Sequence, residues 1–291
     1  MLNLYAKAAL YSPKVTTTHF CLPSSQLSQS IELDIGHINQ FNKIVNWHQL
    51  VGASLHPNYI QVLSLPMQME MMIRQPFPFK VWGLVHIANT IRVKHLPQAT
   101  GNLTINTQFG ELFRHRRGVV FEVVTDAFQN EQKCLSATSY YLARINEQTL
   151  NQKAPDMPLF SETSILAGSA DEAYQRIAEL AFSVDAGRAY AKVSGDYNPI
   201  HLWPITANIF GFKRAIVHGM YSKALIFSSL HKLDRTRFSR GQFTFNTVFK
   251  SPISLPNTTK LEWDGSTAFR LVSDGPQKLR QHVLGELNTE S

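Results

Sequence analysis

The C-terminal part of the chain has the clearest pattern of apolar and polar positions. Residues 218–233 are apolar on nearly all sides, which is typical of a buried helix rather than a surface helix. Four segments with strand-like alternation follow, at residues 242–250, 259–264, 267–273 and 279–287. Turn signals such as Asp264-Gly265 separate them. This part is therefore predicted to form one buried helix followed by antiparallel strands.

The N-terminal part repeats this order of elements. Residues 66–73 are predicted to form a helical core rich in methionine, a residue that more often fills irregular cores than binds ligands. Predicted strands follow at residues 81–94, 103–109, 119–128 and 133–145. Residues 1–30 have a weak pattern and are interpreted as an extended lead-in. The order indicates an α+β fold with two antiparallel sheets, each wrapped around a buried helix.

Two local matches support an internal duplication. The segment from Phe41 to Trp47 matches that from Tyr190 to Asp196 at an offset of 149 residues (190 − 41 = 149), and the sequence after Asn89 resembles that after Asn246. Either match alone is weak, but they occur in the same order with similar offsets. Since residues 146–164 are polar and contain two prolines, we expect domains at residues 1–150 and 165–291, joined by a linker at 151–164.

The stretch from Tyr190 to His201 carries the candidate chemistry. Residues 190–193 are predicted to be a short strand, and Gly195 with Asn198-Pro199 indicates a tight turn after it. This turn holds the carboxylate of Asp196 five residues before the imidazole of His201. Such a pair suits general acid–base catalysis, because histidine titrates near neutral pH. For an isolated pair, a capped turn beside a partly buried histidine is the plainer interpretation.

The order Gly-Asp-x-Asn-Pro-x-His is more specific than an isolated pair. It resembles the hydratase motif of the MaoC-like dehydratases, the R-specific enoyl-CoA hydratases, and His218-Gly219-Met220 fits that family's His-Gly step before the central helix. The resemblance implies two tandem hotdog domains and reversible syn addition of water to a trans-2-enoyl thioester, giving a (3R)-3-hydroxyacyl thioester. It further implies that Asp196 and His201 activate one water, with no metal or redox cofactor required.

Two more residues are candidates for the site. The backbone N–H of Gly219 opens the buried helix, where free N–H groups and the positive end of the helix dipole could stabilise a thioester oxygen. A tight turn before the helix would also explain this glycine. Asn198 could orient the loop or the histidine, and an Asn-Pro turn is an equal alternative.

The first half is predicted to lack the catalytic pair. At the offset of 149, Asp196 corresponds to Trp47 and His201 to Gly52, and neither can act as an acid or base. Two roles stay open for this half: it could shape the acyl-chain pocket, or it could only replace a dimer partner and bury an interface.

Charge and composition limit the partners. With 291 residues and a net charge of +7, the chain could bind polyanions, but its basic residues are dispersed and no nucleic-acid motif occurs. Phosphates of coenzyme A or a carrier-protein arm fit better, with Lys213, Arg214 and Arg240 as candidates, although a solvated basic surface explains each equally well. No apolar run could span a bilayer, so we expect a cytoplasmic protein and allow for a homodimer.

Two other functions compete with hydration. A hotdog acyl-CoA thioesterase would use a carboxylate and water at the carbonyl carbon, but the complete Asn-Pro-x-His motif disfavours it. A non-catalytic acyl-thioester-binding protein would bind without turnover. Dehydratases of the polyketide type place their histidine and aspartate in different halves, whereas here both lie in one predicted loop.

Overall fold

Ten strands form one antiparallel sheet in the computed structural model, which describes residues 1–13, 19–48, 54–154, 156–166, 173–235, 238, 242–275 and 278–289. The strands are β1 Gln26–Glu32, β2 Val85–Val93, β3 Asn102–His115, β4 Gly118–Gln129, β5 Gln132–Arg144, β6 Gln175–Phe182, β7 Phe243–Phe249, β8 Asn257–Trp263, β9 Ala268–Ser273 and β10 Arg280–Thr289. The helices are α1 Leu2–Leu10, α2 Ile35–Ile44, α3 Tyr59–Met72, α4 Glu147–Lys153, α5 Ala186–Ser194, α6 Pro204–Ile209 and α7 Gly219–Leu233.

The strand order is symmetric about the central pair β2 and β7. Read inward from the two edges, it is β1, β3, β4, β5, β2 and β6, β8, β9, β10, β7. At the centre Asn89 pairs with Thr247 and Thr90 pairs with Asn246, so the recurring Asn-Thr dipeptide meets its own counterpart. One duplicated unit, joined edge to edge about a local two-fold axis, produces this arrangement.

The other pair of matching segments, which begin at Phe41 and Tyr190, also lies in equivalent elements, but these elements are helices. Phe41 is in α2 and Tyr190 is in α5, with 6.4 Å between their ring centroids. The prediction of a strand at residues 190–193 is therefore wrong. Ala186 and Tyr190 are buried four residues apart, which is helical spacing. Gly195 ends α5 at φ 71°, a left-handed conformation that glycine adopts without strain.

The predicted central helices and the other predicted strands agree in type with the structure, but the extended lead-in predicted at residues 1–30 does not. The bounds of α7 and of β7 to β10 lie within two residues of the predicted ones. In the first half, α3 begins at Tyr59, well before the predicted start, because the helix continues through Pro66. The N-terminal lead-in is not uniformly extended, since it contains α1 as well as part of β1. The edge strands β1 and β6 complete five strands in each half.

The central helices supply much of a core that is shared by both halves. As predicted, α7 is buried on nearly every side, and α3 is largely buried as well. One apolar cluster joins Phe41 and Tyr59 of the first half to Tyr190, Phe227 and Phe245 of the second. Full burial of a side chain of this size contributes about 2–3 kcal/mol. The shared cluster therefore stabilises both halves together.

The segment between the halves contacts the sheet. It includes the end of α4, and Leu159 forms a parallel bridge with Arg114 of β3. None of the helices in the described ranges combines the length and the apolar character needed to cross a membrane.

Candidate active site

The loop after α5 is held in shape by its own side chains. The Asp196 N–H donates to the hydroxyl of Ser194, and the Asn198 N–H donates to Asp196 Oδ1, both at 3.1 Å. The side chain of Asn198 in turn accepts from the Ile200 N–H and caps the 3-10 turn that carries His201. These local bonds explain why Ser, Asp and Asn occur in succession here.

The carboxylate of Asp196 lies between polar groups. Its Oδ1 accepts from the Tyr5 hydroxyl at 2.7 Å, and its Oδ2 lies 4.0 Å from His218 Nε2. Burial by itself would raise the pKa of Asp196, but His218, His201, the Tyr5 hydroxyl and the Asn198 N–H together lower it below its usual value. The carboxylate is therefore ionised at neutral pH, while 31% of the side chain stays accessible.

His201 is held in one tautomer. Its Nδ1 lies 2.8 Å from the carbonyl oxygen of Ile216, which can only accept, so Nδ1 carries the proton. Burial, together with the neighbouring His218, lowers the pKa of His201 to about 3. The ring is therefore neutral at pH 7, with an unprotonated Nε2 that can accept a proton.

His218 connects the loop to the start of α7. Its Nε2–H donates to the main-chain carbonyl of Asp196 at 3.0 Å, and its ring stacks on that of His201 with 3.7 Å between centroids. Its buried Nδ1 has no hydrogen-bond partner within the described ranges. As the N-cap residue of α7, His218 places the Asp196 loop beside the helix N-terminus.

Gly219 is the first residue of α7. A Cβ atom at this position would lie 3.0 Å from the ring of Phe249, so only glycine fits without displacing that ring. The N–H groups in the first turn of a helix have no acceptor within the helix, and they point toward its N-terminal end. This end of α7 lines the same pocket as Asp196 and His201.

A pocket of about 270 Å³ receives these groups. From the second half it is lined by Asp196, Asn198, His201, His218 and Gly219. The first half contributes an apolar wall, which includes Val62, Leu65, Met69, Met72 and Leu84. Three exposed basic residues, Arg117, Arg144 and Lys250, also border it. The pocket thus combines a carboxylate and an imidazole with an apolar wall and a basic rim.

The atoms of the Asp196 cluster also have the spacing of a metal site. One nitrogen of His201, one of His218 and a carboxylate oxygen of Asp196 lie within 4.8 Å of one another. The bonds to carbonyl oxygens at His201 Nδ1 and His218 Nε2 leave His201 Nε2, His218 Nδ1 and Asp196 Oδ2 as the atoms that could bind a cation.

Most of the site residues expected from the sequence meet in this pocket. Asp196, Asn198, His201 and Gly219 all line it. Lys213 and Arg214 are exposed and are not part of the lining formed by the described residues, and Arg240 lies outside those residues.

The sequence allowed for a pocket wall from the first half, but it did not indicate the individual residues. Tyr5, Arg117 and Arg144 lie far from the motif along the chain, and no local pattern marks them as site residues. The His-Gly step before α7 was visible, but nothing in the sequence shows that His218 binds the Asp196 loop.

Known proteins resemble this chain in sequence. Residues 166–268 match the family described as MaoC like domain. Over 266 residues the chain is 28% identical to 3-hydroxyacyl-thioester dehydratase X of Mycobacterium tuberculosis (strain ATCC 25618 / H37Rv), and the match covers 90% of this chain and 89% of that protein.

Solved structures show the same fold. The crystal structure of HtdX of M. tuberculosis superposes with a TM-score of 0.73 at 21% identity and covers 91% of this chain and 100% of that one. A second M. tuberculosis protein, described as having a double hotdog fold, superposes with a TM-score of 0.58 at 12% identity over 92% of this chain and 96% of that one. The chain therefore has the α+β double hotdog fold, its residues 166–268 match the MaoC like domain, and most of its length is similar to the mycobacterial 3-hydroxyacyl-thioester dehydratase.

Proposed function

We propose that this protein is a hydro-lyase that reversibly adds water to a trans-2-enoyl thioester and forms a (3R)-3-hydroxyacyl thioester. The observation that carries the proposal is the placement of an ionised Asp196 and a neutral His201, from one loop, in a pocket beside the N-terminus of α7. The homologous mycobacterial dehydratase supports the reaction class. In this proposal residues 1–150 and 165–291 are the two hotdog domains, and residues 151–164 link them.

The pair can activate a single water. His201 Nε2 accepts a proton because Nδ1–H is committed to Ile216, and Asp196 Oδ2 accepts because Oδ1 already has two donors. As the water oxygen bonds to C3, its proton passes to this pair, and C2 then receives a proton from the pair. Since both transfers occur on the face of the alkene next to the loop, the addition is syn.

The N–H of Gly219 is proposed to bind the thioester oxygen. Negative charge grows on this oxygen as water adds to C3, and a helix N-terminus presents both free N–H donors and the positive end of the dipole. A preorganised donor of this kind contributes about 3–4 kcal/mol to transition-state stability. Gly219 also lets the ring of Phe249 lie close to the backbone at this position, since a Cβ atom here would be 3.0 Å from that ring.

The first half is proposed to hold the acyl chain. Its counterpart of Asp196, Trp47, is buried and packs on His56 and Phe227, so this half keeps the scaffold and uses the position for core packing. Its α3 contributes Met69 and Met72 to the apolar wall of the pocket, and methionine adapts to irregular apolar surfaces.

The basic rim is proposed to bind the phosphates of the thioester carrier. Burial is the main cause that lowers the pKa of Arg117 below its usual value, and repulsion from Arg116 and Arg144 adds to it, while Glu162 acts in the opposite direction. A phosphate relieves this repulsion and accepts several hydrogen bonds at once. Coenzyme A and the phosphopantetheine arm of a carrier protein both supply one.

A hydration assay tests the function. The purified protein is incubated with crotonyl-CoA and longer trans-2-enoyl-CoA substrates, and the configuration of the product is determined by chiral chromatography. We expect a 3R product whose rate of formation is insensitive to EDTA. A 3S product would overturn the stereochemical assignment, and loss of activity with EDTA would overturn the metal-free mechanism. Release of free thiol from a saturated acyl-CoA would identify a thioesterase, and binding without turnover would identify an acyl-binding protein.

A further inference from the structure

Tyr5, which is far from the Asp196 loop in sequence, contacts the carboxylate of Asp196. Helix α1 lies against the Asp196 loop, and Tyr5 on this helix donates to Asp196 Oδ1 across 191 residues of sequence. The Tyr5 ring also meets that of Tyr197 edge-on, at 6.5 Å between centroids. Trp82 Nε1–H donates to the main-chain carbonyl of Tyr5 at 3.4 Å. Tyr5 is therefore held through both its ring and its main chain, and it lines the pocket.

The N-terminal end of α1 is closely packed against the same loop. A Cβ atom on Gly195, the residue before Asp196, would lie 2.8 Å from Cγ of Met1. This close approach, at a position where the backbone is left-handed, leaves glycine as the residue that fits. The contact of α1 with the loop thus extends beyond one hydrogen bond.

The Tyr5 bond determines which carboxylate oxygen is free. A carboxylate oxygen has two lone pairs, and Oδ1 of Asp196 accepts from both the Tyr5 hydroxyl and the Asn198 N–H. Only Oδ2, on the side of His218, is left to bind water. We propose that Tyr5 is a positioning residue that fixes the rotation of the Asp196 carboxylate and directs Oδ2 toward the reacting water. This inference rests on the proposed hydratase function and adds a required residue to it.

The pKa of Tyr5 agrees with a hydroxyl that donates its hydrogen bond to Asp196 throughout the working pH range. Burial, reinforced by the Asp196 carboxylate, raises the pKa of Tyr5, so the hydroxyl stays protonated at any working pH. Several titratable groups surround Asp196 on the neighbouring elements: Tyr5 of α1, His86 of β2, Tyr141 of β5, Tyr190 of α5, His201 of the loop and His218 at the N-cap of α7. Of these, Tyr5 donates a side-chain hydrogen bond to the carboxylate.

The test compares Tyr5→Phe with Tyr11→Phe in the full-length protein. Tyr11 follows the same helix, but its hydroxyl donates to the carbonyl of Phe77 at 2.6 Å and is not part of the catalytic machinery. We expect Tyr5→Phe to lower kcat about tenfold with little change in KM, because one charge-assisted hydrogen bond is lost. The acid limb of its kcat–pH profile should move to higher pH, since loss of this donor raises the pKa of Asp196. Tyr11→Phe should leave both kcat and the acid limb unchanged.

The outcomes separate this inference from the proposed function. If the wild-type protein does not hydrate any enoyl thioester, the proposed function fails. If the wild type is active and Tyr5→Phe has the same kcat and the same acid limb, only the positioning role is wrong. An increase in kcat for Tyr5→Phe would also overturn it, because Tyr5 would then obstruct the site. Thermal melting of both variants shows whether a lower rate reflects loss of folding.

Discussion

Lys223, near the middle of α7, donates hydrogen bonds to both oxygens of Asn89 on β2, at 2.8 Å to the main-chain oxygen and 2.5 Å to the side-chain oxygen. A third bond, of 3.0 Å, goes to the carbonyl of Phe245. The side chain is fully buried, and burial lowers the pKa of Lys223 well below its usual value. Because Asn89 lies on the strand at which the two halves meet, this bond connects the central helix of one half to the sheet of the other.

Replacing Lys223 by methionine should destabilise the protein. Three buried acceptors lose their donor, and we expect the free energy of unfolding to fall by about 2–4 kcal/mol in urea denaturation. Lys232→Met, at an exposed position of the same helix, is the matched control and should change it by less than about 0.5 kcal/mol. In a double-mutant cycle with Asn89→Leu, we expect a coupling energy of about 1–3 kcal/mol. Equal stability of the two lysine variants would contradict a connecting role.

The sequence predicted those parts of the fold whose pattern is local. The apolar residues of α7 and the alternation in β7 to β10 are visible without a partner, because each segment is buried on one or both faces. β1 exposes most of its positions at the sheet edge, so no alternation marks it. The segment 190–193 resembles a strand in isolation, and packing against Phe41, His218 and Tyr221 makes Tyr190 part of a buried helix face.

Removing either member of the acid–base pair should abolish most activity. Asp196→Asn removes the charge and His201→Ala removes the proton acceptor, so we expect kcat for hydration to fall by roughly 10²–10⁴-fold in each. His95→Ala, on an exposed turn, serves as a control and should retain wild-type turnover. Circular dichroism and melting confirm that each variant is folded. Near-wild-type activity of either site variant would refute the proposed roles.

Apart from Gly219, which the family resemblance indicated, the site could be predicted only where it is contiguous in sequence. Asp196 and His201 lie on one short loop that is closed by its own side chains, so their proximity follows from local spacing. Tyr5 and Arg144 reach the pocket because α1 packs on the Asp196 loop and β5 ends at its rim. Such positions depend on tertiary packing, and no local pattern in their own segments indicates them.

Arg144 should distinguish substrates that carry phosphate from those that do not. If the basic rim binds the carrier, Arg144→Ser should raise KM for an enoyl-CoA about fivefold, since an exposed charge contact contributes about 1 kcal/mol. It should leave KM unchanged for the matching N-acetylcysteamine thioester, which lacks phosphate. Arg214→Ser removes a basic residue that is exposed and outside the pocket lining, so KM for both substrates should stay the same. If Arg214→Ser raised KM for the enoyl-CoA more than Arg144→Ser, the phosphate site would instead lie near Lys213 and Arg214.

His56 should contribute to loss of stability in acid. Its Nδ1 accepts from the Asn58 N–H and its Nε2–H donates to the carbonyl of Ala224, so the folded state holds the neutral ring. Burial lowers the pKa of His56 to about 3, below the value of about 6.5 in the unfolded chain.

The unfolded state therefore binds the additional proton between these two values, and stability decreases as the pH falls below about 6.5. The contribution is fully present above pH 6.5 and is lost toward pH 3, at a slope of up to about 1.4 kcal/mol per pH unit. Urea unfolding of His56→Gln between pH 7 and pH 4.5 should show a shallower decrease than the wild type. His95→Gln, on the surface, should follow the wild-type slope. Parallel slopes for the wild type and His56→Gln would show that His56 is not held neutral in the folded state.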